Sequence, residues 1–295
     1  LETYDEWKDN SDFIEDVMRF LDNVLTDFIN KAPDSFKDAK YSAMRERSVG
    51  LGVMGFHSFL QKNFIPLESV MSKVWNDKIF KHIQTNVDAA SKKLSDERGS
   101  CPDAEEYGFK ERFSNKTAIA PTASISIICG GASPGVEPVA ANSYTHKTLS
   151  GSYNVRNRYL KKVLEKYGKN DEETWSTITT NQGSIEHLDF LTKNEKDVFK
   201  TAFELDQKWI VELGANRTPY VSQAQSINIF LAADVHKKEL HQIHFQAWKK
   251  GLKSLYYCRS KSIQRAENIN NGLSTETTIA GTKEDQDNEE CLSCQ

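Results

Sequence analysis

Three short stretches of the sequence carry residue types that could do chemistry. The chain ends in KEDQDNEECLSCQ, where Cys291 and Cys294 are spaced C-x-x-C behind a run of acidic side chains. The stretch APTASIS, residues 120–126, follows a short apolar run and combines one proline with small hydroxyl residues. The stretch LKSLYYCRS contains two adjacent phenols, Tyr256 and Tyr257. These stretches suggest thiol exchange, anion binding and electron or radical transfer, respectively.

The C-x-x-C pair at the end of the chain admits a zinc half-site, a thioredoxin-like dithiol or no function. Zinc requires four ligands, and the sequence offers no second C-x-x-C or Cys/His pair of suitable spacing; we expect His241 and His244 to be packing or surface residues. A thioredoxin-type pair begins a helix after a strand, which this pair does not. An exposed pair that exchanges with another dithiol remains, and a flexible segment of about 30 residues would give it a reach of roughly 30 Å.

The stretch APTASIS suits a turn that presents backbone N–H groups to an anion. If a helix begins just after Pro121, its first amides and its dipole favour negative charge, and Thr122, Ser124 and Ser126 add hydroxyl donors. Ordinary helix capping is the commoner explanation of such a pattern. The two common nucleotide-binding motifs, G-x-x-x-x-G-K-[ST] and G-x-G-x-x-G, are absent from the sequence.

The two adjacent tyrosines have two interpretations. Neighbouring residues of a strand point to opposite faces, so one phenol would pack and the other would be solvated. The alternative is that the two phenols stack, which would serve electron or radical transfer.

Long amphipathic helices alternating with short apolar strands predict an α/β architecture with a largely parallel sheet. Helices are predicted at 12–29 (N-cap Asp12), 67–98, 155–167, 194–214 and 234–251. Strands are predicted at 47–56, at the first apolar run within 115–138, at 225–230 and at the run containing the two tyrosines. From about Gln264 the apolar period vanishes, so we expect a flexible tail.

Composition excludes several classes of protein. The formal net charge is −4, so no basic field favours nucleic acid. The sequence has no run of about 18 apolar residues that could cross a bilayer, and its acidic, polar start is no signal peptide. Five cysteines in 295 residues do not make a disulfide framework, which favours the reducing cytoplasm. Because the sequence begins with Leu1 and not Met, we expect it to be part of a longer protein.

The motifs APTASIS, GVEPVAANSYTHKTLSGSYNVRN, NQGSI, VSQAQSINIF, HFQAWKKGLKSLYYCRS and CLSC occur in this order. Together they closely resemble the C-terminal half of the large (α) subunit of class I ribonucleotide reductases. The resemblance extends from about Arg47 to Arg259, and the C-x-x-C pair at the end of the chain is of the same type as the cysteine pair at the end of the family's large subunits.

The resemblance implies a role for each stretch. The P-T-A-S turn would bind the diphosphate of a ribonucleoside diphosphate, through Thr122, Ala123, Ser124, Ile125 and Ser126. The paired tyrosines would relay a radical from the small (β) subunit, with Tyr257 nearer the subunit interface and Tyr256 nearer the substrate. Cys291 and Cys294 would reduce the active-site disulfide after each turnover and be reduced in turn by thioredoxin or glutaredoxin.

The resemblance also implies what the chain lacks. The radical-bearing cysteine of the family lies in an asparagine-x-cysteine-x-glutamate setting, which does not occur in this sequence. Cys129, in the setting IICGG, does not fit it, and we expect a small buried residue there. We therefore expect the chain alone to be inactive and to need the N-terminal half of the large subunit, which would carry the active-site cysteines and the nucleotide-effector sites. No cofactor or metal is expected to bind this chain directly, since the radical would come from the metal-dependent small subunit.

The fold implied by the resemblance is the second half of a ten-stranded α/β barrel with surrounding helices. Residues 1–263 would form this part of the barrel and residues 264–295 a flexible redox tail. A cobalamin-dependent relative would not need the tyrosine pair, so LYYCR favours the class with a radical-supplying partner. The alternative function is a non-catalytic nucleotide-binding or thiol-redox adaptor, in which replacing either tyrosine would change nothing.

Overall fold

The structure is a computed structural model that describes residues 1–148 and 151–260. Twelve α-helices lie in these residues. They are α1 (Tyr4–Trp7), α2 (Phe13–Lys31), α3 (Lys37–Glu46), α4 (Phe56–Lys62), α5 (Val70–Arg98), α6 (Pro102–Glu106), α7 (Ala123–Ile128), α8 (Arg158–Lys166), α9 (Glu172–Thr180), α10 (Lys193–Val198), α11 (Gln207–Arg217) and α12 (Lys237–Lys249). Short 3₁₀ turns occupy Asp34–Phe36 and Thr218–Tyr220.

Four strands form two small sheets in the described residues. Strands β1 (Ser143–Thr148) and β2 (Gly151–Arg156) pair in antiparallel fashion, whereas β3 (Ile229–Leu231) and β4 (Cys258–Ser260) pair in parallel. Two isolated parallel bridges, between Leu51 and Thr117 and between Ile119 and Gln225, add further parallel segments beside β3 and β4. Extended segments around residues 51, 117–119, 225–231 and 256–260 therefore lie side by side and run parallel, in chain order.

The prediction of an α/β fold with parallel strands is confirmed in this coarse form. The regular strands are shorter than predicted: residues 47–56 contribute one bridge at Leu51, and Phe56 already begins α4. Gly55, with φ of 82°, turns the chain there. The described residues show four strands and not half of a ten-stranded barrel, so the barrel count remains a prediction.

The two long helices form at the positions that apolar periodicity predicts. Helix α5 begins after Ser69, whose hydroxyl accepts the Ser72 amide, and it ends before Gly99. Helix α2 packs against α5, and Ile14, Met18, Ile79 and Leu94 lie in the main core. Asp12 does occupy the N-cap position of α2, although its side chain makes no capping hydrogen bond. Burial of one apolar stripe on each helix stabilises this pair.

A buried carboxylate in the middle of α2 links this helix to three arginines. Asp22 of α2 is fully buried and receives hydrogen bonds from Arg47, Arg98 and Arg112. Burial by itself would raise the pKa of Asp22, but hydrogen bonds from the three guanidinium groups outweigh it and hold that pKa below its ordinary value. Removing this carboxylate would leave mostly buried cations without their partner, so the contact is important for stability.

The remaining helices form a second, smaller core. Leu160, Trp175, Ile178, Val198 and Phe199 are buried together where α8, α9 and α10 meet. The predicted helix 194–214 is in fact two helices, α10 and α11, separated by residues 199–206. The break comes where the Glu204 carboxylate accepts the Thr201 amide and the Asp206 side chain caps the start of α11, which favours a new helix start.

No helix among the described residues is both long enough and apolar enough to cross a membrane. The predicted tail, including Cys291 and Cys294, lies outside the described residues.

Candidate functional site

The predicted anion turn follows the extended segment that ends near Ala120. Thr122 adopts a left-handed conformation, with φ of 53° and ψ of 24°, and α7 starts at the next residue. A β-branched residue rarely takes this conformation, and such strain concentrates at sites that bind or react. The helix expected after Pro121 is therefore present, and its first amides have no intrahelical acceptors.

The loop that contains Gly135 packs against the turn. The Gly135 amide donates to the Thr122 hydroxyl oxygen at 2.7 Å. Gly135 has a φ of 47°, and a Cβ there would lie 2.9 Å from the Ala120 carbonyl oxygen and 3.4 Å from that of Pro121. Only glycine permits so close an approach of the two backbones at positive φ. The loop therefore supports the strained conformation of Thr122.

The side chains of the turn divide into outward and inward groups. Ser124 and Ile125 are exposed, and Thr122 and Ala123 are half-buried. Ser126 is buried, and its hydroxyl donates to the Ala123 carbonyl at 2.9 Å, so this side chain caps the turn from within. Cys129, predicted to be buried, is exposed instead, because α7 is short and ends on the surface.

This arrangement can bind an anion through backbone and hydroxyl groups. The start of α7 supplies N–H groups, and the Thr122 hydroxyl, which accepts from Gly135, keeps its own hydrogen available for donation. One cation lies at the far end of the helix: Arg158 donates to the Gly130 carbonyl and pairs with Glu2 at 3.3 Å. The turn is polar at its start and carries the exposed apolar side chains Ile125 and Ile128 beside it.

The rings of the two adjacent tyrosines lie in contact, tilted relative to each other. Their ring centroids are 4.1 Å apart with an interplanar angle of 52°, and the two residues are 39% and 46% exposed. The expectation that strand geometry would send them to opposite faces is wrong, because regular strand β4 begins only at Cys258. The backbone is nevertheless anchored to the neighbouring segment: Tyr256 N donates to the Ile227 carbonyl at 2.8 Å, and Ile229 N donates to that of Tyr257 at 2.9 Å.

A buried glutamate, which sequence reasoning missed, lies between these two features. Glu137 is 4% exposed and accepts the Asn228 amide at 2.7 Å and the Asn228 side-chain NH₂ at 3.1 Å. Burial raises the pKa of Glu137 above its ordinary value, opposed by the hydrogen bonds from Asn228 and the charge of Arg259. The only hint in the sequence is an acidic residue in the apolar setting GVEPV.

The structure thus brings two of the three predicted stretches together. The segment that carries the anion turn pairs with the segment containing Gln225, and this second segment pairs with the tyrosine segment. Residues 1–148 and 151–260 contain no cluster of three His, Cys, Asp or Glu side chains that could hold a metal ion, and His241 and His244 lie exposed on α12. The third stretch, Cys291 and Cys294, lies outside the described residues.

Comparison with known proteins identifies one family. The family model described as "Ribonucleotide reductase, barrel domain" matches residues 2–111 and 103–258. The ribonucleoside-diphosphate reductase large subunit of Invertebrate iridescent virus 6 is 50% identical over 273 residues, which cover 91% of this chain and 28% of that protein. The corresponding protein of Invertebrate iridescent virus 3 is 41% identical over 298 residues, which cover 100% of this chain and 46% of that protein.

A solved structure agrees with the sequence relatives. The class Id ribonucleotide reductase alpha subunit of Actinobacillus ureae superposes with a TM-score of 0.82 at 38% identity, covering 89% of this chain and 48% of that chain. The chain therefore spans about half or less of the length of the proteins that it matches, between 28% and 48% for these three.

Proposed function

The chain belongs to the ribonucleotide reductase barrel family, and we propose that it forms part of the catalytic large subunit of a class I ribonucleoside-diphosphate reductase. In this proposal the assembled enzyme reduces ribonucleoside diphosphates to deoxyribonucleotides by a radical mechanism, with thiols as electron donors. The observation that carries the proposal is the contact between the rings of Tyr256 and Tyr257, two extended segments away from a turn suited to an anion.

The anion turn is the proposed site of the substrate diphosphate. The amides at the start of α7 and the hydroxyls of Thr122 and Ser124 are suited to phosphate oxygens, with Ala123 and Ile125 contributing backbone N–H groups. The Ser126 hydroxyl supports the turn through its bond to the Ala123 carbonyl. Because these groups recognise phosphate and not a base, the turn accepts any ribonucleoside diphosphate.

The tyrosine pair is the proposed radical path. Tyr257 would receive the radical from the small subunit and Tyr256 would pass it towards the substrate. In each step the group that becomes the new radical, first Tyr256 and finally a cysteine thiol, loses a proton and an electron together, and the preceding tyrosyl radical gains both. Ring centroids 4.1 Å apart support such a transfer, because proton and electron move between groups already in contact.

The C-x-x-C pair is the proposed internal reductant. Reduction of the ribose leaves a disulfide between two active-site cysteines of the large subunit. The thiolate of Cys291 or Cys294 would attack that disulfide, and the second cysteine of the pair would resolve the mixed disulfide, which transfers the oxidation to the tail. Thioredoxin or glutaredoxin would then reduce the tail, which fits the reducing cytoplasm.

Other parts of the enzyme must supply what this scheme still needs. The radical-bearing cysteine, the active-site cysteine pair and the nucleotide-effector sites would belong to the N-terminal half of the large subunit, which would also complete the ten-stranded barrel. The metal-dependent small subunit would generate the radical. This chain would hold no cofactor of its own.

Substitution of each tyrosine in the assembled enzyme tests the proposal. Tyr256→Phe and Tyr257→Phe remove the oxidisable phenol but keep the ring, so each should abolish deoxynucleotide formation and leave diphosphate binding unchanged. Tyr107→Phe, at a surface residue that is 77% exposed, is the matched control. Normal turnover in both variants would instead favour a non-catalytic nucleotide-binding or thiol-redox adaptor.

A further inference from the structure

We propose that Glu137 is a positioning residue that holds the tyrosine pair in register with the anion turn, a role that rests on the proposed function. Neither the anion turn nor the tyrosine pair includes this residue, and the radical path as described above does not use it. The geometry points to it because hydrogen bonds, joined by the short backbone segment from Gly135 to Glu137, connect Thr122 to the Tyr257 amide.

The first link joins the anion turn to the loop that carries Glu137. The Thr122 hydroxyl accepts the Gly135 amide at 2.7 Å, two residues before Glu137. The Glu137 amide donates to the Pro134 carbonyl at 3.0 Å, which closes a tight turn over these residues. A displacement of Thr122 is therefore transmitted to the Glu137 backbone over a very short distance.

The second link fixes this loop to the body of the protein. Ser133 and Ser58 exchange hydrogen bonds, each amide donating to the other hydroxyl, at 2.8 and 3.1 Å. The Gly55 amide donates to the Ser133 carbonyl at 2.7 Å. The loop is thus anchored on the start of α4, and Glu137 projects from a rigid support.

The third link is the carboxylate itself. Its two oxygens accept the two donors of Asn228, the backbone amide at 2.7 Å and the side-chain NH₂ at 3.1 Å. This bidentate contact leaves the Asn228 side-chain oxygen facing Tyr257, whose amide donates to it at 3.1 Å. Glu137 therefore fixes the rotamer of Asn228, and Asn228 fixes the backbone of the second tyrosine.

The choice of a carboxylate at this buried position supports a positioning role. Glu137 and Asn228 are 4% and 2% exposed, and a charge at such a site is unfavourable unless it is hydrogen-bonded. A glutamine of the same shape offers one acceptor oxygen for the two Asn228 donors and turns its own NH₂ towards the other. Only the carboxylate accepts hydrogen bonds from both donors. The unfavourable burial of its charge is therefore offset only while Asn228 keeps its orientation.

The test uses Glu137→Gln in the complete large subunit assembled with its small subunit. Loss of one of the two contacts frees the Asn228 side chain, and misplacement of a reacting group by about 1 Å costs on the order of 10²-fold in rate. We expect kcat to fall at least tenfold while the dissociation constant for a ribonucleoside diphosphate changes less than twofold. Glu173→Gln, at an exposed position in the first turn of α9, is the control and should change neither.

A double substitution separates positioning from simple structural damage. Glu137→Gln combined with Asn228→Asp reverses one hydrogen bond, because the new amide NH₂ now donates to a carboxylate at position 228. The other carboxylate oxygen can still accept the Tyr257 amide, and the site keeps one negative charge. We expect the double variant to recover most of the kcat lost in Glu137→Gln, with thermal midpoints of all variants compared as a check on folding.

Two outcomes overturn the inference. One is unchanged kcat in Glu137→Gln; the other is a double variant whose kcat is no higher than that of Glu137→Gln although both are folded. Tyr257→Phe in the same assembly distinguishes this failure from failure of the proposed function. If Tyr257→Phe abolishes turnover while Glu137→Gln does not, the radical path stands and only the positioning role of Glu137 falls.

Discussion

Substitution of Gly135 by alanine tests whether the loop behind the anion turn supports substrate binding. Gly135 has a φ of 47°, and a Cβ would meet the Ala120 carbonyl oxygen at 2.9 Å and that of Pro121 at 3.4 Å. Both contacts are with backbone atoms, which cannot rotate away. The added methyl group must therefore push the turn or the loop, and the hydrogen bond from the Gly135 amide to Thr122 joins the two.

The expected size follows from two separate costs. An alanine in the left-handed region costs about 1–2 kcal/mol, offset by about 0.4–1 kcal/mol because the unfolded chain loses freedom. Overpacking against rigid backbone adds about 1–3 kcal/mol. Gly168, with φ of 64° and no atom within 4 Å of its added Cβ, isolates the first cost. We expect Gly168→Ala to cost about 1 kcal/mol and Gly135→Ala about 2–4 kcal/mol.

Urea unfolding measures the two free energies, and calorimetric titration with a ribonucleoside diphosphate measures binding by the assembled large subunit. If about 1.4 kcal/mol of the strain falls on the turn, the affinity of Gly135→Ala drops tenfold, whereas Gly168→Ala binds normally. Equal free energies of unfolding and equal affinities in the two variants would refute the argument that this loop supports the turn.

Two further predictions concern buried charged or titratable groups. Asp22→Asn should lower the free energy of unfolding by about 3 kcal/mol, because three guanidinium groups lose their carboxylate, whereas Asp27→Asn, at an exposed ion pair, should change it by less than about 0.5 kcal/mol in urea unfolding. Burial lowers the pKa of His57 to about 3, so the folded protein excludes a proton that the unfolded chain binds below its pKa of about 6.5. This contribution is complete above pH 6.5 and is lost as the pH falls towards 3, which removes about 2 kcal/mol between pH 7 and pH 5. His57→Asn keeps an acceptor for the Val139 amide, which donates to His57 Nδ1 at 3.1 Å, and should abolish that part of the pH dependence; an unchanged slope would contradict the assignment.

The long helices could be predicted from the sequence because apolar periodicity and end signals coincide. Helix α5 ends at Arg98 before Gly99, as predicted. Helix α2 forms where predicted, although Phe20 and Val24 of its apolar pattern are exposed. The parallel segments were harder to delimit, since a strand in a small parallel sheet reads as a short apolar run. The break between α10 and α11 depends on side-chain caps that a periodicity argument does not weigh.

The anion turn and the tyrosine pair could be found in the sequence, but their geometry could not. The left-handed Thr122 requires the Gly135 loop, which is thirteen residues away in the chain. The ring contact between Tyr256 and Tyr257 depends on where regular pairing begins, at Cys258. The sequence does not point to Glu137 because its hydrogen-bond partner is Asn228, 91 residues further along the chain. Contacts of this range leave no local pattern in a single sequence.

The central claim is that a radical passes through Tyr257. Replacing this residue by an amino-substituted tyrosine, which is easier to oxidise, would trap the radical there, and rapid freezing followed by electron paramagnetic resonance would detect it. We expect a new organic radical in the assembled enzyme, and its formation should require both substrate and the radical-bearing small subunit. No such radical should form when the analogue replaces the exposed Tyr107. Retention of the radical entirely on the small subunit, with the analogue at position 257 unoxidised, would contradict the account.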